Sequence, residues 1–179
     1  ESNILKKYKK KKKLNIILGV GNVSSSSNRN AIAYVTKKLI PVINKRINYS
    51  NLNFILISSG LLTNEEKDSF SKINTIMKGW VEDLDKELLD CDIFVFLNNS
   101  GPIKAIFSRQ IYAWSLGLCV LGHIDGLKTM TQMKNNYNIM LGQDEVKIVE
   151  QMKKLINSDL LRKKIGLNGL KTYRSYFSP

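Results

Sequence analysis

Four short apolar runs constrain this chain more than anything else in it. Residues 14–20 (LNIILGV), 53–58 (NFILIS), 92–97 (DIFVFL) and 118–121 (LCVL) lack the strict apolar–polar alternation of a strand with one wet face. Each is too short for a buried helix, and charged or turn-forming residues bound them. They read as strands covered on both sides. Weaker strands are expected at 74–78 and 138–141.

Helical spacing fills the intervals. Over residues 30–48, Ile32, Val35, Leu39, Val42 and Ile43 fall on one face, with Asn28 as the expected N-cap and Pro41 as a kink or turn. Further helices are expected at 83–90, 103–116 (ending at Gly117 as C′), 144–157 and 159–176. Buried strands alternating with helices give an α/β fold. Right-handed crossovers make it a doubly wound, mostly parallel, Rossmann-like sheet of about six strands with helices on both faces. Ligands of such sheets sit outside the carboxyl ends of the strands. The loops that matter are therefore 21–29, 58–62, 79–83, 98–104 and 122–127.

With 179 residues, the chain has room for one such domain. We place it at 14–179, after a basic tail or linker at 1–13, and expect it to be the C-terminal half of a longer protein. Cys91 and Cys119 lie in apolar stretches and read as buried thiols. One histidine, His123, and no CxxC leave no recognisable zinc spacing, and no metal or cofactor is expected. His123 reads as a loop residue rather than a catalyst. No apolar run approaches the ~20 residues of a membrane span.

The net charge of +13 is unevenly spread: residues 1–13 carry seven lysines against Glu1. Lysine also outnumbers arginine 23 to 5, whereas bidentate reading of phosphate or guanine favours arginine. Nucleic acid is thus a poor candidate partner. The tail reads as a solvated linker or a contact to an anionic membrane surface.

The loops offer the chemistry. Gly21 permits a tight turn whose amides, with Asn22, could meet an anion, and Arg29 either reaches a diphosphate or is an ordinary surface arginine. The spacing is neither GxGxxG nor a P-loop. Ser100, Gly101, Pro102 and Ile103 open the helix after the strongest strand, where they form either a ligand loop or a plain turn; Lys104 and Arg109 add positive charge to that helix. Gly79, Trp80 and Val81 form a turn against which a base can lie, unless Trp80 is simply packing.

In order along the chain, these segments resemble the C-terminal, nucleotide-sugar-binding domain of GT-B glycosyltransferases, of the retaining group called family four. Residues 17–22 (ILGVGN) with 28–31 (NRNA) are similar to that family's opening block, and 79–84 (GWVEDL) to its base loop. Residues 91–95 (CDIFV) and 117–120 (GLCV) resemble the strands on either side of its sugar loop, and 125–127 (DGL) the short block after the second of them. The resemblance implies a domain that binds a nucleotide-sugar donor, with a missing N-terminal domain supplying the acceptor site. It also implies sugar transfer to a glycan, lipid or protein, without a DxD metal motif. Together with the basic tail, it fits polysaccharide assembly in the cytoplasm, peripheral to the inner membrane face.

One departure stands out. By spacing from Gly117, the family's two glutamates fall on Lys104 and Tyr112, and its basic residue on Arg109. The resemblance implies a donor-ribose partner at position 112. A tyrosine there, in place of a bidentate carboxylate, is expected to cost about 1–3 kcal/mol of donor binding. The alternative is a degenerate, non-catalytic module that serves as a partner-binding scaffold.

Overall fold

The computed structural model describes residues 13–97 and 108–178. Six strands form one sheet: β1 (Leu14–Asn22), β2 (Leu52–Ser59), β3 (Ile76–Lys78), β4 (Ile93–Phe96), β5 (Val120–His123) and β6 (Met140–Gly142). Every pairing is parallel and the order is β3-β2-β1-β4-β5-β6. The doubly wound sheet expected from the unalternated runs is thus present. Its register is set by pairs such as Ile17 with both Ile55 and Phe94. A bulge between Ile17 and Gly19 breaks the alternation of β1, so Ile17 and Val20 pack on the same face.

One face is covered by α1 (Ser26–Tyr34), α2 (Ile40–Arg46), α3 (Asn64–Ser71), α6 (Glu145–Ile156) and the start of α7 (Asp159–Tyr176). The other carries α4 (Leu84–Leu89), α5 (Ser108–Ser115), the segment around Met130 and Met133, and the far end of α7 through Tyr173 and Phe177. Cys91 and Cys119 are buried in the two cores. No helix among the described residues is long and apolar enough to cross a membrane.

Pro41 does not end the first helical stretch. A π-helical segment, Val35–Leu39, joins α1 to α2, and the Ile40 amide reaches back to the Val35 carbonyl. Pro41 then falls in the first turn of α2, directly after the π-helical segment. At the end of α5, Gly117 adopts φ 64°. Its amide bonds the Trp114 carbonyl and the Leu118 amide bonds that of Ala113, both at 3.0 Å, which is the expected left-handed cap.

Helix α3 falls in a stretch that the periodicity leaves unassigned. Thr63 accepts from the Glu66 amide at 3.2 Å and Glu66 accepts from the Thr63 amide at 2.9 Å, a reciprocal capping box. Both oxygens of the same carboxylate accept from Nη1 of Arg29, at 2.7 and 2.8 Å, clamping α1 to α3. Burial works against ionisation of Glu66, but the bonds from Arg29 and Thr63 outweigh it, and its carboxyl titrates below the usual range.

Two stability measurements test these contacts. Glu66→Gln should cost about 1 kcal/mol at neutral pH by urea denaturation. A lowered native pKa stabilises above the unfolded value of about 4.3. The deficit should therefore close as pH falls below that value and through the native one; a deficit that grows on acidification would refute the clamp. Gln110 is fully buried on α5, and neither amide atom has a hydrogen-bond partner among the described residues. Gln110→Met keeps the shape, removes two unmet polar groups and should raise stability by about 1 kcal/mol in the same assay.

Candidate functional site

Strand order reverses between β1 and β4, so a crevice opens above their carboxyl ends. Gly21 stands at its edge with φ +124°, a conformation that L side chains rarely adopt. Its bare Cα is covered by a side chain from α5: a Cβ built there would lie 2.5 Å from Nη2 of Arg109 and 2.7 Å from its Cζ. Arg109 Nη1 donates to Asn28 Oδ1 at 2.5 Å, and Asn28 Nδ2 donates to the Asn22 carbonyl at 2.6 Å. Asn28 is therefore not the N-cap. Ser25 holds that position without a side-chain bond, and Asn28 sits buried in the first turn, where its amide ties α1 to β1 and α5.

The junction leaves a crevice of only about 20 Å3 between Gly19, Gly21, Asn28, Ala31 and Ser58, room for about one water. Burial lowers the Arg109 pKa, and no carboxylate among the described residues pairs with the guanidinium. Among the described residues it is a half-buried cation without a carboxylate counter-ion.

Arg29 points elsewhere. Besides Glu66, its guanidinium donates to the Leu61 carbonyl at 3.2 Å, on the β2 side of the edge. Where a diphosphate partner was expected, the structure pairs Arg29 with a carboxylate already fixed by the capping box. Sequence carried the missing signal: Thr63 followed three residues later by Glu66.

Gly79, Trp80 and Val81 follow β3, as expected. The Trp80 side chain is 80% exposed, so it is not core packing, while Val81 leans on the second core and nothing lies within 4 Å of a Cβ at Gly79. Asp83 caps α4 by accepting from the Lys86 amide at 3.0 Å. The Tyr112 hydroxyl donates to the Asp85 carboxylate, bridging α5 and α4. That bond, then partial burial, pushes the phenol up to about 12. Asp85 is a residue that motif reasoning overlooked. Ser100, Gly101, Pro102, Ile103 and Lys104 lie outside the described residues.

Arg109 and Tyr112 also border an open groove of about 500 Å3 with Ile111, Tyr173 and Phe177. His123 is the last residue of β5 rather than a loop residue. Its Nδ1 accepts from the Asp125 amide at 3.1 Å and Nε2 meets the Gln143 carbonyl at 3.0 Å. It braces the edge against Tyr34, whose ring meets it edge-on at 5.9 Å between centroids.

No family model and no curated protein matches the chain. Solved structures do. The C-terminal domain of the glycosyl transferase group 1 family protein LpcC from Francisella tularensis superposes with a TM-score of 0.69 at 13% identity, over 92% of this chain and 86% of that one. The catalytic domain of cholesterol-alpha-glucosyltransferase from Helicobacter pylori gives 0.66 at 18% identity, over 91% and 99%. Anabaena HepE, solved in complex with UDP and glucose, gives 0.72 at 14% identity; 99% of this chain matches 48% of that protein, so the chain spans about half its length. At these identities the likeness is one of architecture, and the architecture is specific: the chain has the fold of a GT-B glycosyltransferase domain, as found at the C-terminus of LpcC.

Proposed function

We propose that the chain is the donor-binding half of a sugar-transfer enzyme and holds a nucleoside-diphosphate sugar across the carboxyl edge of the sheet. The observation that carries this is the Arg109 guanidinium, half-buried over Gly21 at the strand reversal and without a carboxylate partner among the described residues. Its bond to Asn28 uses one nitrogen, and the fork can turn the rest of its donors to phosphate oxygens. The exposed indole of Trp80, beside the open backbone of Gly79, offers a flat face to the base. HepE, which shares the fold, is solved with UDP.

In this reading the described residues bind and orient the donor. A nucleoside diphosphate whose phosphates meet a fixed cation at this edge is a better leaving group than in water, because charge that develops on it as the glycosidic bond breaks is already stabilised. The acceptor would come from a second domain, and transfer needs both. The residues from Ser100 to Lys104 are proposed for the donor sugar, on the strength of the resemblance. The lysine-rich tail is proposed to rest on an anionic membrane.

Arg109→Met separates binding from folding. The variant keeps an aliphatic stem over Gly21 and removes a desolvated charge, so its unfolding free energy should stay within about 1 kcal/mol of wild type. Its affinity for the best ligand among UDP, GDP and ADP should fall at least tenfold by calorimetry, the loss of a charge-assisted bond of about 1.5–3 kcal/mol. Equal affinity in the two proteins removes Arg109 from the site. Absence of binding by every nucleotide at millimolar concentration favours a scaffold role instead.

A further inference from the structure

A second recess, of about 280 Å3, shares no lining residue with the Gly21 crevice or with the groove beside Arg109. One wall comes from residues 131–138, which lead into β6, and the other from the last turns of α7. A single buried side chain fixes both. Asn138 Nδ2 donates to Thr172 Oγ1 on α7 and to the Gln132 carbonyl, each at 2.8 Å, and Asn138 Oδ1 accepts from the Lys134 amide at 2.8 Å. The Asn138 carbonyl accepts from Nε1 of Trp114 at 2.9 Å. Asn136 turns the first wall at φ 60°, a left-handed conformation that asparagine tolerates, and Asn168 Nδ2 ties the Tyr137 carbonyl to α7 at 3.0 Å. The two walls are thus held in place by bonds among themselves.

The groups that line the recess and remain exposed are not needed for that network. Lys134 comes from one wall and Lys171 from the other. Residues 129–139 and 165–179 contain no Asp or Glu, so neither wall offers these lysines a carboxylate. Gln132 and Ser175 add an amide and a hydroxyl, and Tyr137 and Tyr176 add rings that are 42% and 64% exposed.

Each of these groups narrows what fits. Two ammonium groups without an acid beside them favour an anion. Amide and hydroxyl groups ask for hydroxyls on the body of the ligand rather than hydrocarbon. Exposed tyrosines offer a flat face to the C–H side of a ring while the phenol stays wet. The volume lies at the lower end of small-molecule sites, which run from about 300 to 1,000 Å3, so about one ring is accommodated. A neutral sugar leaves the lysines unused, and an inorganic ion leaves the tyrosines unused.

We propose that this recess binds an anionic monosaccharide, with the sugar ring against the tyrosines and its carboxylate or phosphate between Lys134 and Lys171. The site stands apart from the donor-site reading, because none of its residues belongs to the Gly21 edge. It lets the domain hold an acidic sugar without placing it at the strand reversal.

The chain has two tryptophans, and they report on different regions. The Trp114 indole N–H is bonded to the Asn138 carbonyl in the wall of the recess, whereas Trp80 is exposed after β3. In nitrogen–proton correlation spectra of this chain, glucuronic acid or glucose-6-phosphate should shift the Trp114 indole signal to saturation and leave that of Trp80 in place. A response to one of the two acids supports the site and names its anion. Glucose and inorganic phosphate should each bind about tenfold more weakly. Lys134→Gln and Lys171→Gln, both at the surface, should each weaken the acidic sugar about tenfold, whereas Lys45→Gln on α2 removes the same charge elsewhere and should not. Glucose binding as tightly as the acids removes the charge role, phosphate binding as tightly removes the ring, and either result overturns the proposal. So does a Trp114 signal that neither acid moves at millimolar concentration. An equal loss at Lys45→Gln and Lys134→Gln overturns it too, because the binding is then a matter of net charge.

Discussion

Between β1 and β4 the chain reverses the direction in which it adds strands, and the helices after these two strands leave the sheet on opposite faces. Among the described residues, a relay of three crosses the space between them: the Asn22 carbonyl, the Asn28 amide and the Arg109 guanidinium. One amide joins the end of β1, the start of α1 and the start of α5. The glycine at position 21 is required twice, by its φ and by the arginine that lies against it. Remove the relay and the two halves of the sheet remain paired, but the edge loses its fixed charge.

That charge is held at a cost. Burial lowers the arginine's pKa and no described carboxylate offsets it, whereas the other well-placed arginine is fully matched by Glu66. The contrast separates the two cations by environment: Arg29 clamps α1 to α3 through Glu66, while Arg109 is half-buried with no carboxylate partner among the described residues.

Much of the sheet was legible because parallel strands buried on both faces write themselves as continuous apolar runs, and DIFVFL leaves no other reading. Strand ends shifted by a residue or two: β1 and β2 pair past their apolar runs, whereas β4 is shorter than its run. Helix α3 was missed because its residues, NEEKDSFS, are almost all polar and only Ser69 and Phe70 are buried. Its start was still encoded, in Thr63 and Glu66. At the site, Gly21 and Arg109 come together where spacing put them, but the partners of Arg29, Asn28 and Tyr112 are long-range. Glu66 is 37 residues from Arg29, Arg109 is 81 from Asn28, and Asp85 is 27 from Tyr112. Local pattern cannot name such partners, because a polar side chain's choice among several acceptors is made only when the sheet has brought them into reach.

The π-helical segment between α1 and α2 has a consequence for how this edge can change. Val35, Leu39, Ile43 and Ile47 are spaced by fours and all buried. On an uninterrupted α-helix each such step precesses about 40° around the axis, so the stripe would wind off the core. The wider turn absorbs that drift and works as a phase correction between the two ends of one rod. The leading end answers to the crevice through Asn28, and the trailing end answers to the core through Ile40 and Ile43. Because the angular mismatch is settled in the middle, either end can be remodelled without rotating the other. A domain of this kind can therefore vary the Asn28 end of the rod while leaving its interior alone.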